Sequence, residues 1–315
     1  MKRITINFPL LVAIGVTTAM TFGLWSCSKK SGGGSSGPTP LGGYVSSDSV
    51  ASGNLIAYFP FDADANDHKG GLTASEVGSG VTFTTGVRGN AYTGSYGSYY
   101  TLAVPSGGGV FTNIGSYSES LWFKIAQEDS VTQGLFFLTG ANTQDEFVTE
   151  IESYEPASGD SVKIHTGFND LNSPAYQLFV PETFDTDAVA KWTHMVITYD
   201  ATSGAYTVYE NGVPQGTNTA FSPAPPSGAP YPDPVAYVTP NILYTDGTKT
   251  TILGPIGFTS DPPKTIIIGS WPDQLFGQAA AKTCFVGQMD ELRIFNKALS
   301  QTEVAGLFLN GQAGR

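Results

Sequence analysis

The residues best suited to chemistry in this 315-residue chain are acids and aromatics. Asp62-Ala63-Asp64-Ala65-Asn66-Asp67 sets oxygen ligands at alternate positions, as a hard cation such as Ca²⁺ prefers. It is not an EF-hand loop, because its sixth position is Asp67 rather than Gly and its twelfth is Thr73 rather than Glu. The competing reading is a solvated turn in which Asp and Asn cap backbone amides. Trp271, in Ser270-Trp271-Pro272-Asp273-Gln274, leaves a strand for a loop, which suits an indole that stacks on a sugar ring beside polar groups. Tyr231, Tyr237 and Tyr244 are the next ligand-binding candidates, with packing against a loop as the plainer fate of each. His68, His165 and His194 have no metal-binding spacing, and His194 reads as a packed strand residue. Cys284 lies in an apolar stretch before Phe285 and Val286, which marks a buried structural thiol rather than a nucleophile, since a nucleophile needs a basic neighbour to lower its pKa. Gly107-Gly108-Gly109 lacks the helix and Lys of a phosphate loop.

Strands must position these groups. Only 13% of the residues are charged, while Gly (38), Pro (20), Tyr (15) and Phe (19) are plentiful, which excludes a helical bundle or coiled coil. A net charge of −12 disfavours a nucleic-acid partner, which would need clustered Lys and Arg. Apolar alternation and turn signals predict strands at 55–61, 99–104, 118–125, 134–138, 146–153, 162–168, 193–199, 205–210, 265–269 and 286–295. The Asp200–Gly204 and Asn211-Gly212 junctions read as hairpins. A capping box at Ser300 and Glu303 starts a short C-terminal helix, which Asn310-Gly311 should end near Leu309. Residues 217–264 are a Pro-rich insertion too long for a hairpin loop; it either covers the sheet or carries function.

Residues 1–26 read as a signal peptide, with Lys2 and Arg3 ahead of an apolar stretch. Leu24-Trp25-Ser26-Cys27 resembles a bacterial lipobox, so Cys27 is expected to receive a diacylglycerol; an uncleaved anchor is the alternative. Either would tether the chain to a membrane outside the cytoplasm, and Ser28 after the cysteine favours the outer membrane or cell surface. Loss of residues 1–26 would take the charge from −12 to −14 and leave Cys284 as the one unmodified thiol. The Ser/Gly/Pro-rich stretch 27–53 reads as a flexible tether.

Four segments in order resemble the landmarks of the laminin G-like jelly roll in the concanavalin A-like lectin/glucanase superfamily. They are Leu55–Asp62 with Ala65-Asn66-Asp67, Gly89-Asn90-Ala91, Trp192–Asp200 with Tyr209–Val213, and Gly287–Ser300. The resemblance implies an all-β fold over residues 54–310: a two-sheet antiparallel jelly-roll sandwich with a concave groove, a short C-terminal helix, one long Pro-rich insertion and a tail at 311–315. It also implies that the 62–67 loop lies near Asp290-Glu291, so that Asp62, Asp67 and Asp290 would hold a structural Ca²⁺. Trp122 and Trp192 fall at core positions of the family. Laminarinase-type relatives carry a Glu-x-Asp-x-x-Glu catalytic strand. Here the nearest match is Glu150-Ile151-Glu152-Ser153-Tyr154-Glu155, which lacks the middle Asp, and a solvent-facing strand edge explains Glu150 and Glu152. No catalytic residue is therefore assigned. The expected function is non-catalytic carbohydrate binding by a surface lipoprotein, in glycan capture or adhesion. The alternatives are a module for a cell-surface protein partner and, behind it, a glycoside hydrolase.

Overall fold

The computed structural model describes residues 37–126, 131–141, 146–151, 162–168, 176–184, 189–203, 205–215, 238–239, 243–245, 250–252, 254–272 and 283–315, with backbone alone at 162–163, 176–184, 238–239, 243–245 and 250–252. Residues 1–26, Cys27, Glu152, Glu155, Tyr231 and Tyr237 lie outside the described residues, as does the side chain of Tyr244.

Two antiparallel sheets form the sandwich. The first runs β13 (Val213–Pro214), β12 (Ala205–Glu210), β11 (Thr193–Asp200), β6 (Tyr117–Ile125), β18 (Gly287–Phe295), β4 (Asn90–Thr93) and β3 (Thr82–Thr85). In this sheet β1 (Leu55–Phe59) also pairs with β18, and β14 (Val238–Thr239) with β12. The second runs β10 (Tyr176–Phe184), β9 (Val162–Phe168), β8 (Phe147–Ile151), β7 (Gln133–Thr139), β17 (Thr265–Ile268), β5 (Tyr99–Ala103) and β2 (Ala74–Val77). A separate hairpin joins β15 (Leu243–Thr245) to β16 (Thr250–Ile252). All ten expected strands are present. The four-residue strands β2 and β3 escape a hydrophobic pattern because neither buries a residue fully. At Asn211-Gly212 both residues have positive φ, 49° and 81°, as a tight hairpin requires.

Alternation decides what each sheet buries. On β6, Tyr117, Leu121, Phe123 and Ile125 point between the sheets and pack on Phe136, Leu138, Ile266 and Ile268 of the second sheet. Ser118, Ser120 and Trp122 point the other way. That outer face is covered by a helix, α1 (Gln301–Gln312), and by the chain ahead of β1: Val50, Val196, Phe295, Val304 and Leu307 make a second apolar cluster.

Three expectations change here. Trp122 is buried, but beneath α1, stacked on Phe308 at 5.6 Å, rather than between the sheets. Trp192 is only half-buried, because it precedes β11 at the margin of the same outer face. The tether does not extend to residue 53, since residues from Pro38 onward belong to the folded unit. Within them, Leu41 and Tyr44 form a backbone bridge, Gly42 lies against Gly306 of α1, and Val50 is 1% exposed.

The helix starts as the sequence predicts, with Ser300 and Glu303 completing a capping box, but runs to Gln312 instead of stopping near Leu309. Asn310 is held inside it by bonds from its side-chain amide to the carbonyls of Leu41 and Gly306. Gly311 is needed there because a β-carbon would come within 2.7 Å of the Trp122 indole nitrogen. Its role is close approach to an aromatic ring, not helix termination.

Candidate functional site

The acids of the proposed calcium site do not converge. Asp67, 2% exposed, accepts the backbone N–H groups of Tyr58, Lys69 and Gly70 through Oδ1 at 2.9–3.0 Å, which makes it a turn cap. Asp62 accepts the Asn90 amide at 3.0 Å, and Asp290 accepts those of Val87 and Arg88 at 2.7 and 3.0 Å. Asp62 and Asp290 thus brace the 86–90 turn from two sides while Asp67 holds a different one. Among the described residues no three His, Cys, Asp or Glu side chains are grouped as a metal site. The donor set Asp62, Asp67, Asp290 therefore does not fit a Ca²⁺ ion as a group: one oxygen of each acid accepts backbone amides in turns that the three do not share.

Beside Asp290 the chain makes an ion-pair clamp. A bulge in β18, with Glu291 at φ 56°, turns Asp290, Glu291 and Arg293 all to the outer face. Arg293, 3% exposed, pairs with Glu291 at 2.5 Å and Asp48 at 2.8 Å, and its guanidinium lies 4.4 Å from the Tyr58 ring centre. Arg88 joins Asp48 at 2.5 Å, which holds the Asp48 carboxyl below the usual range. This cluster ties the chain ahead of β1 to β18.

The grouping with a chemical character suited to a ligand lies on the second sheet, on the face turned away from the core. Phe147, Thr149 and Ile151 of β8 point inward, so Val148 and Glu150 point out. Directly opposite Glu150 on β9 stands His165, with Nδ1 2.6 Å from Oε1. On the other side Glu150 is in register with Gly134 of β7. A β-carbon at Gly134 would meet the Ser270 carbonyl at 2.3 Å, so glycine lets the chain leaving β17 cross there. That crossing sets Trp271 over the same face, edge-on to Phe137 with centroids 6.4 Å apart. Bridges from Cys284 to Ser270 and Gly134 close the base of the 270–284 loop. The Cys284 thiol is buried as expected, 3.5 Å from the Ser270 hydroxyl.

An aromatic side chain over Phe137 and a buried carboxylate–imidazole pair therefore share this face of the sheet. Trp271 leaves β17 for a loop, as its sequence indicates; Glu150 was noticed, but its setting was misjudged. It is 3% exposed, and β8 lies between β7 and β9 rather than at an edge. Its partner His165 carried no signal at all, being paired through strand register rather than sequence spacing. His194 is buried as expected: its Nε2 is 3.0 Å from the Ser120 hydroxyl, and burial holds the imidazole down at about 3.

Residues 94–232 match the family model of the concanavalin A-like lectin/glucanases superfamily, of laminin G type. No curated protein matches the chain. Solved structures of similar fold include domain 4 of a GH43 extracellular arabinanase from Geobacillus stearothermophilus, in complex with arabinotriose, at 21% identity and TM-score 0.49, covering 81% of this chain and 98% of that one. The binding domain of botulinum neurotoxin DC, in complex with rat synaptotagmin II, is 13% identical with TM-score 0.51, covering 81% and 51%. Botulinum neurotoxin type C, whose cell entry depends on interaction with two ganglioside molecules, is 14% identical with TM-score 0.50, covering 83% and 52%. The chain thus spans about half the length of these two neurotoxin chains.

Proposed function

We propose, on the match of residues 94–232 to the concanavalin A-like superfamily and the jelly-roll fold, that the chain is a non-catalytic carbohydrate-binding module of laminin G type, held at the cell surface by a lipid on Cys27. The observation that carries this reading is Trp271, which leaves β17 and lies edge-on to Phe137 over the outer face of the second sheet. An indole offers a face to sugar C–H groups, and the buried Glu150–His165 pair ties together the strands beneath it. The neurotoxin whose entry depends on gangliosides uses a similar fold, which supports a glycan as ligand. Another binds synaptotagmin, and a protein partner is the second reading.

A glycan array tests the proposal. Binding should appear on the array and fall by about tenfold or more in Trp271→Ala, the loss expected of one buried aromatic contact. An empty array with a protein captured instead would select the second reading. Glycan hydrolysis that Glu150→Gln abolishes would replace binding by catalysis.

A further inference from the structure

A second row of polar side chains lies on the outer face of the other sheet. Strand register sets Thr82, Thr93, Gln288 and Lys124 side by side across β3, β4, β18 and β6, and Trp192 stands next to Lys124 at the head of β11. Their neighbours Phe83, Tyr92, Met289 and Phe123 turn inward to the core, so this row occupies the outer face. The covering helix packs on Trp122 and His194, two residues further along β6 and β11. Beside the row is a pocket of about 370 Å³, lined by Thr84, Thr93, Lys124 and Gln288 together with the apolar Ala126 and Val286.

The polar groups are pre-arranged. The Gln288 amide donates to the Thr84 hydroxyl at 2.8 Å and to that of Thr93 at 3.4 Å, and the two hydroxyls lie 2.6 Å apart. Lys124 is half-buried with its ammonium 5.0 Å from the Trp192 ring centre. Among the described residues no carboxylate lies within ion-pair distance of it, in a protein with 27 acids and 15 basic residues. A single cation at one end of a row of hydroxyl and amide groups, beside a small apolar floor, matches one carboxylate attached to a hydroxylated ring. A phosphate or sulfate surface would instead call for several cations.

We propose that this pocket binds a uronic acid residue of an acidic glycan, with the sugar carboxylate on Lys124 and its hydroxyls on Gln288, Thr84 and Thr93. The site is separate from the Trp271 row and does not depend on it. The test is calorimetric titration with trigalacturonate and with its methyl ester, which keeps the shape and removes the charge. The acid should bind at least about tenfold more tightly than the ester, the worth of one charge-assisted contact, and salt should weaken the acid alone. Lys124→Gln should erase the preference and Gln288→Ala should weaken both ligands, each with an unchanged melting temperature, while Trp271→Ala should keep the preference. Equal affinities, a preference that survives Lys124→Gln, a preference lost in Trp271→Ala, or no binding of either trimer would each overturn the site. Failure here leaves the array result with Trp271→Ala untouched, so the two proposals stand or fall apart.

Discussion

Glu119 is an acid in the wrong place for a β sandwich. It points inward from β6 among aromatic rings; Oε2 accepts the Thr149 hydroxyl at 3.1 Å and Oε1 has no hydrogen-bond partner. Burial pushes its carboxyl from 4.5 up to about 8. Between those values the folded chain holds a proton that the unfolded chain releases. The stabilising contribution of the protonated acid is thus fully present below pH 4.5 and lost as pH rises to about 8. Asp290 acts in the same direction above its ordinary 3.8, so the parent protein should lose stability across this window from both groups. Glu119→Gln mimics the protonated acid and should remove one share. Urea denaturation at pH 4 should show little difference between parent and variant, and at pH 9 the variant should be more stable by up to about 5 kcal/mol. Parallel stability curves over that range would show that Glu119 is ionised in the fold at no cost.

At the scale of elements, the C-terminal helix shows which local signals survive folding. Ser300→Ala removes the acceptor for the Glu303 amide and should cost about 1 kcal/mol. Gly311→Val should cost more, because its side chain would enter the Trp122 indole, and it should change the tryptophan fluorescence where Ser300→Ala does not. Thermal melts of the two variants, read by circular dichroism and fluorescence together, check the order. Both residues were visible in the sequence, yet only the cap was read correctly. A capping box is a contact three residues long, whereas Gly311 answers to a strand 189 residues earlier. The same division runs through the molecule. Alternating strands such as β6 and β11 and the Asn211-Gly212 turn were predictable from neighbours in the chain. The Glu150–His165 pair and the Trp192–Lys124–Gln288–Thr93 row exist through register between strands, which no local pattern encodes. Asp62, Asp67 and Asp290 show the same limit: alternating acids look alike in sequence whether their oxygens face an ion or backbone amides.

On the scale of the whole molecule, the two ends of the described chain close on each other. Ser47 donates its amide and its hydroxyl to the Arg315 carbonyl, and Asp48 reaches Arg88 and Arg293. Val50 completes the apolar cluster beneath α1. The segment ahead of β1 is therefore part of the fold, and it limits how far a lipid on Cys27 could hold the domain from a membrane. Ten residues, 28–37, separate Cys27 from Pro38, a distance of no more than about 35 Å at full extension. The contribution of residues 38–53 to the fold can be measured without the lipid. A chain beginning at Asn54 loses Asp48 and Val50, uncovers Phe295 and Val196, and leaves buried Arg293 with Glu291 alone. Compared with a chain beginning at Gly37, it should be less stable by at least about 3 kcal/mol in chemical denaturation. Asp48→Ala in the longer chain separates the ionic share from the apolar one and should reproduce less than half of the loss, because Asp48 is itself half-exposed. Equal denaturation midpoints for the chains starting at 37 and at 54 would return residues 38–53 to the tether and restore its full reach.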